Sequence, residues 1–333
     1  MRTRIATTGV LLALLLAGCK TVDLGTGKTS PKDGVLLTVD FEEGRTLRYK
    51  FVSHRDIALD WDPNGAGGAG KVQNQSERVE MVVAYTPQVV EPLGVSTIRA
   101  KCESVRVERV GRPSGRRLNS DAVQTAQGKG FTLKVDPRGR IVDASELEAL
   151  IKTLGDAAFR KNARGGRIKE PDLVGDFIAS QWFLWDAVAS IENPAAGVAV
   201  GQSWRSRLWV PTPMVMRKAR DVTYRLDEIR DSDAGRLAVI ASTYALAETT
   251  PTGWPIPYSG RFQMSGTFGF LGSYKVLQLE GTGREVFNVD AGRIEKNEQR
   301  YTLKMKASLP PMGIRADPHL TIEQTLTMEL LNP

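Results

Sequence analysis

Apolar and polar residues alternate with a period of two along most of this 333-residue chain. Leu47, Tyr49 and Phe51, for example, are separated by the charged residues Arg48 and Lys50. The same alternation recurs in later segments, the clearest being 79–85, 222–226, 237–241 and 320–330. It is typical of antiparallel strands that have one covered face and one face in water. The pattern therefore predicts a mainly β fold.

Two segments in the middle of the chain follow a helical pattern instead. Asp143 and Glu146 predict a capping box at the start of a short amphipathic helix over residues 145–159. A second helix is predicted over residues 171–191, where apolar residues, including two tryptophans, recur at helical spacing. An apolar helix among strands is expected to pack across the covered face of the sheet.

The segments on either side of these helices share three motifs in the same order. The motifs are an opening Gly at 44 or 201, a Gly-x-Gly at 128–130 or 281–283, and an Asp…Gly-Arg-Ile turn at 136–141 or 290–294. Matched order and spacing predict an internal duplication. The fold we expect is two similar curved antiparallel sheet units with two short helices between them. The predicted divisions are 1–18, 19–34, 35–144, 145–194 and 195–333: a signal peptide, a flexible tether, β unit one, a helical connector and β unit two.

The first nineteen residues carry an export signal. Arg2 and Arg4 precede a short apolar run that ends in Leu16-Ala17-Gly18-Cys19, and the run is too short to span a bilayer. The final tetrapeptide resembles the lipobox of bacterial lipoproteins. This resemblance implies cleavage between Gly18 and Cys19, and attachment of fatty acyl chains such as palmitate to Cys19. The membrane would then be a partner of the protein through its lipidated Cys19.

The resemblance also implies a place in the cell envelope. In enteric-type bacteria an Asp directly after the lipidated Cys retains a lipoprotein in the inner membrane, and Lys20 stands there instead. We therefore expect the outer membrane rather than the inner one, with the protein body in the periplasm. The β repeats resemble uncharacterised β-rich envelope lipoproteins. More loosely, they are similar to the curved half-barrel sheets of periplasmic lipoprotein carriers.

The second cysteine, Cys102, lies on the apolar side of an alternating segment with Ile98 and Ala100. With Cys19 lipidated it has no disulfide partner, and we expect a buried, unreactive thiol. Between Ser104 and Val105 the apolar register slips by one residue, which predicts a β-bulge.

The formal net charge of +7 is mild, and an exported protein meets little nucleic acid, so no nucleic-acid partner is expected. The basic residues form three clusters: Arg109, Arg112, Arg116 and Arg117; Arg160, Lys161, Arg164 and Arg167; Arg217, Lys218 and Arg220. We interpret these as solvated loops and helix ends, although contact with anionic lipid or cell-wall polymer is an alternative.

No cofactor and no metal are predicted, because the chain has no Cys-His or His-His ligand spacing. Asp60, Asp62 and Asn64 fit the opening of a calcium loop, but Lys71 stands where the closing acidic residue should be. A polar hairpin tip is the preferred interpretation of that segment.

The function we predict is that of a non-catalytic, lipid-anchored envelope protein that binds an apolar ligand, a lipid for example, or an envelope partner. The candidate contact residues are aromatic: Trp182 and Trp185 on the second helix, and Trp254 and Tyr258 in a Pro-rich loop. That loop could equally be packed on the protein itself. The alternatives are an envelope hydrolase that uses His54 or His319 as its base, and a purely scaffolding lipoprotein.

Overall fold

In the computed structural model, eleven strands form one antiparallel sheet. The structure describes residues 34–63, 72–111, 121–164, 167–168, 173–212, 218–255, 273–308 and 317–331. The strands of the first half are β1 (Leu47–Asp60), β2 (Val72–Val90), β3 (Ser96–Val110), β4 (Gly130–Val135) and β5 (Ile141–Asp143). A small separate hairpin consists of β6 (Ala163–Arg164) and β7 (Arg167–Ile168). The second half contains β8 (Ser203–Trp209), β9 (Ala219–Ser232), β10 (Gly235–Leu246), β11 (Ser273–Asn288), β12 (Arg293–Ser308) and β13 (His319–Leu330).

The first and last strands of the chain meet at the centre of the sheet. The strand order is β5-β4-β3-β2-β1-β13-β12-β11-β10-β9-β8. Phe51 on β1, for example, lies opposite Met81 on β2 and Met328 on β13. The prediction of a mainly β, antiparallel fold is confirmed. The two predicted units are the two halves of one continuous sheet, because β1 pairs with β13, and their origin by duplication stays a prediction.

The period-two alternation decides which side chains face the core. In β1 the odd-numbered residues from Leu47 to Leu59 are buried, while the even-numbered residues are half-buried or exposed. The alternation in β3 is interrupted by a bulge, where Val82 pairs with Ser104 but Val83 pairs with Cys102. The predicted bulge is therefore present, centred on Glu103 rather than between Ser104 and Val105.

The sheet is strongly curved, as an extended segment near the start of the described chain reveals. Val39 N donates to Pro137 O at 2.8 Å, and Asp40 N donates to Gly292 O at 2.9 Å. These two acceptors belong to the β4–β5 and β11–β12 turns, five strand positions apart, which is roughly 24 Å along a flat sheet. Adjacent residues can reach both turns only if the sheet curls. Gly292 has a φ of 57°, and a Cβ there would lie 2.5 Å from Asp40.

Along the sequence, the described residues between β5 and β8 form three α-helices: α1 (Ser145–Asn162), α2 (Val174–Trp182) and α3 (Asp186–Ala189). Asp143 Oδ1 accepts a hydrogen bond at the start of α1, but from Ser145 N rather than from Glu146 N as in a capping box. The Glu146 side chain does not complete the box either, because its Oε2 accepts from Thr132 N and from Arg99. None of the helices in the described part of the chain has both the length and the apolar composition of a membrane span.

The predicted single helix over residues 171–191 is interrupted between α2 and α3. Phe183 and Trp185 have φ and ψ near −107° and 15°, outside the helical region. After this turn, Asp186 accepts hydrogen bonds from Ser206 Oγ at 3.0 Å and from the Tyr224 hydroxyl at 2.8 Å. These contacts with β8 and β9 fix the direction of the chain, so tertiary contacts override the local helical pattern. Two helices were predicted, and the described residues contain three α-helices.

Candidate functional site

Two polar side chains fix α2 over the centre of the sheet. Asp176 Oδ1 accepts hydrogen bonds from Ser53 Oγ at 2.6 Å and from Gln324 Nε2 at 2.9 Å. Further along the helix, Gln181 Oε1 accepts a hydrogen bond from the Tyr85 hydroxyl. Because these partners belong to β1, β13 and β2, the helix crosses three central strands on the inner face of the sheet.

A chain of buried ion pairs continues from α2 into the first half of the sheet. Arg55 Nε lies 2.8 Å from Glu77 Oε2, and Arg55 Nη1 lies 3.2 Å from Asp176 Oδ2. Glu77 also pairs with Arg109, which in turn pairs with Asp121. Burial alone would lower the pKa of Arg55, but the carboxylates of Asp176 and Glu77 raise it above its usual range. Arg55 is therefore a charged group within the core.

A cavity of about 60 Å³ lies between α2 and the sheet, next to Asp176. Its apolar wall combines α2 and the chain just after it with three strands: Phe51, Met81, Ala179, Phe183, Leu184, Leu326 and Met328. Its polar lining is Ser53, Asp176, Ser180, Arg220, Asn297 and Gln299. The cavity therefore places apolar surface beside a small set of polar groups, which is typical of sites for small molecules.

Arg220 is the most unusual of the polar groups that line the cavity. It is 1% exposed, and Nη2 donates to Gln299 Oε1 at 2.9 Å. Its guanidinium carbon lies 4.6 Å from the ring centre of Tyr244 and 5.0 Å from that of Tyr301. Neither Nε nor Nη1 has a hydrogen-bond partner within the described residues. Arg220 points inward because every second side chain of a strand faces the same side, and Val222 and the following even-numbered residues of β9 up to Leu226 are buried.

Two acids lie in the second half of the structure: Glu285, buried on β11, and Asp186, half-buried at the start of α3. Burial raises the pKa of Glu285 to about 8, and the neighbouring Asp186 adds to this increase, while a hydrogen bond from Asn297 opposes it. Burial also raises the pKa of Asp186, against the effect of its hydrogen bonds from Tyr224 and Ser206. At neutral pH Glu285 is therefore mainly protonated and adds little negative charge to the region.

Three of the four predicted aromatic contact residues, Trp182, Trp185 and Trp254, do not line the cavity. Trp185 is buried and packs edge-on against Phe41 and Tyr85, with ring centres 5.8 and 6.2 Å apart. Trp182 is half-buried at the end of α2. The cavity is lined instead by their neighbours Ala179, Ser180, Phe183 and Leu184. The helix that the sequence singled out does border the site, through different residues.

Trp254, from the predicted Pro-rich surface loop, is packed against the protein. It is 7% exposed, and its ring stacks on Phe183 at 5.3 Å and lies 5.5 Å from that of Trp209. Trp254 thus packs against Phe183, which lines the cavity. The other predicted contact residue of this loop, Tyr258, lies outside the described residues, as do Gly18 and Cys19.

Two of the basic residues that the sequence assigned to solvated clusters point into the protein, Arg220 buried and Arg109 with its side chain 9% exposed. Arg220 lines the cavity, and Arg109 belongs to the chain of ion pairs. The assignment was wrong for these two because it was based on neighbouring charges along the sequence and not on which face of the strand each side chain occupies. Both side chains continue the inward-facing positions of their strands, where a charged residue needs a partner in the core.

The two histidines lie on the outer face of the sheet, away from the cavity. His54 Nε2 lies 3.3 Å from Asp56 Oδ2, and His54 pairs in register with Thr325 on β13. His319 pairs with Asp60, so the two histidines are roughly 20 Å apart along the strands. They do not form one site, and hydrolysis by either of them stays a hypothesis.

The acidic residues of the predicted hairpin tip hold the turn itself. Asp60 Oδ1 accepts a hydrogen bond from Asp62 N at 3.0 Å, and Asn64 lies outside the described residues. Across the described ranges as a whole, no group of three or more His, Cys, Asp or Glu side chains is placed to hold a metal ion.

Cys102 is fully buried on β3, as predicted, and burial raises the pKa of its thiol to about 12. Because the thiolate is the reactive form, iodoacetamide should modify Cys102 at pH 8 roughly a thousandfold more slowly in the folded protein than in urea. The measurement is mass spectrometry of the full chain carrying C19S, in which Cys102 is the remaining cysteine. Complete modification of the folded protein within minutes would contradict this expectation.

Comparison with known proteins gives little further information. No protein family matches this chain, and no curated protein matches it. A solved structure described as "Lipid-protein interactions in lipovitellin" is similar with a TM-score of 0.42 and 9% sequence identity. The similar region covers 88% of this chain and 26% of the lipovitellin chain, so this chain spans about a quarter of that chain's length.

Proposed function

We propose that this chain is a non-catalytic, lipid-anchored protein of the cell envelope that binds an apolar ligand between α2 and the inner face of its sheet. The anchor rests on the resemblance of Leu16-Ala17-Gly18-Cys19 to a lipobox, and Lys20 favours the outer membrane. The observation that carries the ligand proposal is the cavity beside Asp176, whose wall is mainly apolar.

The size of the cavity limits what it holds in this conformation. Its volume of about 60 Å³ is less than half of the ~150 Å³ that binds benzene in an engineered apolar cavity. The site therefore accommodates one end of an elongated ligand, and the rest of the ligand would continue outside the cavity. Phe183, which lines the cavity, stacks on Trp254, and neither side chain is held by a hydrogen bond within the described residues.

Replacing Ala179 with leucine is expected to weaken binding of a neutral chain such as decan-1-ol roughly tenfold. Ala179 lines the cavity on α2, and the larger side chain would exclude about two methylene groups of the ligand at about 0.8 kcal/mol each. Calorimetric titration of the full chain carrying C19S, prepared without detergent, measures the affinity. Native mass spectrometry of the same preparation reports any lipid that co-purifies.

Ala187→Leu is the matched control for this substitution. Ala187 is also a buried helical alanine, on α3, but it does not line the cavity. Both variants carry a similar overpacking cost of about 1–3 kcal/mol, so only A179L should reduce decanol binding. Equal binding by wild type and A179L would contradict the location of the site. Absence of binding by the wild type, with no co-purifying lipid, would contradict the ligand proposal itself and favour an envelope partner.

The anchor is tested separately by labelling growing cells with palmitate. We expect the label to be incorporated into the wild-type chain and not into the C19S variant. Equal incorporation by both chains would contradict acylation at Cys19.

A further inference from the structure

Arg220 has N–H groups that nothing in the described part of the chain accepts. A guanidinium has five N–H donors, and Gln299 accepts from one nitrogen, Nη2. Nε and Nη1 are buried without a hydrogen-bond partner among the described residues, although the side chain is 1% exposed and lines the cavity. Buried N–H groups are almost always satisfied in folded proteins. The unused donors of Arg220 therefore point to an acceptor that the protein itself does not supply.

Arg220 also lacks the close carboxylate partners that Arg55 has, although its charge acts on Asp186 at longer range. Arg55 has two carboxylate partners, Glu77 and Asp176. Arg220 forms no ion pair with any described residue, and the rings of Tyr244 and Tyr301 balance its charge only in part.

Two acids in the second half of the chain's structure form hydrogen bonds with side chains other than Arg220. Asp186 is hydrogen-bonded to Tyr224 and Ser206, and Glu285 is hydrogen-bonded to Asn297. Since a buried cation without a counter-charge is costly, the cavity around Arg220 is suited to an anion.

We propose that the ligand is an amphiphile with an anionic oxygen head, a carboxylate or a phosphate monoester, which Arg220 binds while the apolar chain lies against Phe51, Phe183, Leu326 and Met328. This inference rests on the proposed function, because it assigns the head group of the ligand in the same cavity. Charge-assisted hydrogen bonds from a guanidinium to such oxygens are among the strongest in proteins. Gln299 and Asn297, which also line the cavity, offer additional amide groups beside the head.

Four probes separate the contributions of the head group and the chain. Decanoate and decyl phosphate carry the anionic head, decan-1-ol carries the chain alone, and inorganic phosphate carries the charge alone. Their affinities are measured by calorimetric titration of the full chain carrying C19S. We expect decanoate or decyl phosphate to bind about tenfold or more tightly than decanol, since a hydrogen bond to a charged group contributes at least that much.

Three substitutions test whether Arg220 is the source of this preference. Arg220→Met should reduce the affinity for the anionic probes to that for decanol, and Arg220→Lys should keep part of the preference because it keeps the charge. Arg225→Met is the matched control, because Arg225 lies on the same strand but is exposed on the outer face. If R220M does not fold, the R220K variant and the wild-type comparison of decanoate with decanol still decide the question.

Each outcome has a separate meaning. Equal affinities for the anionic probes and decanol, unchanged in R220M, would overturn the assignment of the head group and leave the apolar site standing. A preference for anions that R220M retains would overturn the role of Arg220. Inorganic phosphate binding as tightly as decyl phosphate would assign the site to a free anion and overturn the amphiphile. No binding by any probe would overturn both this inference and the proposed function.

Discussion

Replacing Arg55 with methionine is expected to lower the free energy of unfolding by about 3–5 kcal/mol. Arg55 is 1% exposed and lies between Glu77 and Asp176, at 2.8 and 3.2 Å. Without it, two buried carboxylates lose their shared cation, although Glu77 still pairs with Arg109. The cost arises mainly from the charges left behind rather than from the lost attraction, because burial penalises an unpaired charge severely.

The loss of unfolding free energy in R55M should be larger at higher pH. Burial already raises the pKa of Asp176, and Arg55 is the main group that opposes this increase. Removing Arg55 therefore raises that pKa further. A carboxyl group whose pKa is raised by folding destabilises the protein as pH rises above the unfolded value. The deficit relative to wild type should accordingly be larger at pH 7 than at pH 4.5.

Urea unfolding of R55M at these two pH values measures both effects. Arg99→Met is the control, because Arg99 also pairs with a glutamate, Glu146, at 2.8 Å, but at the surface. Exposed pairs contribute about 0–1 kcal/mol, so R99M should change stability little at either pH. If R55M loses no more unfolding free energy than R99M, the buried chain of ion pairs does not stabilise the fold.

Much of this fold follows from local patterns in the sequence. Period-two alternation predicts the strands because every second side chain of a strand points to the same face, and it correctly placed Cys102 in the core. The pairing of β1 with β13 could not be predicted in this way. These strands are separated by most of the chain, and no local pattern specifies which distant edges meet.

The site was only partly predictable, although its strongest signal was already in the sequence. In the alternating pattern, Arg220 stands on the same face of its strand as Val222, Tyr224 and Leu226. Arg55 likewise stands on the same face as Phe51 and Ile57. A charged residue at an inward position of a strand indicates a buried ion pair or a ligand contact. Counting basic residues in clusters concealed this signal. The aromatic residues of the second predicted helix pointed to the correct element, because an apolar helix must cover the sheet, but not to the residues that border the cavity.

The largest gain in stability should come from replacing Glu285 with glutamine. Glu285 is 4% exposed on β11; one of its carboxyl oxygens accepts from Asn297, and the other has no hydrogen-bond partner within the described residues. Burial raises the pKa of this carboxyl to about 8. In the unfolded chain the pKa of a glutamate is about 4.3, so unfolding near neutral pH releases a proton.

The sign of the pH dependence follows from this proton. Between about pH 4.3 and pH 8 the folded protein holds a proton that the unfolded chain has lost, so the contribution of Glu285 to stability falls as pH rises. Each increase of one pH unit in this range lowers the free energy of unfolding by about 1.4 kcal/mol. A glutamine keeps the shape and an oxygen acceptor for Asn297 but has no proton to lose, so E285Q avoids this cost.

Urea unfolding of wild type and E285Q at pH 4.5, 6 and 7 should therefore give diverging free energies. We expect the two proteins to differ little at pH 4.5, and E285Q to be more stable by roughly 3–4 kcal/mol at pH 7. Glu280→Gln is the matched control on the same strand, since Glu280 is exposed and its replacement removes the same charge without a burial cost. A difference between E285Q and wild type that stays constant across this range would show that Glu285 does not hold its proton in the folded protein. Glu285 would then be a buried negative charge, hydrogen-bonded to Asn297, which lines the cavity together with Arg220. The pH dependence of E285Q therefore also tests how much negative charge the protein itself places beside the cavity.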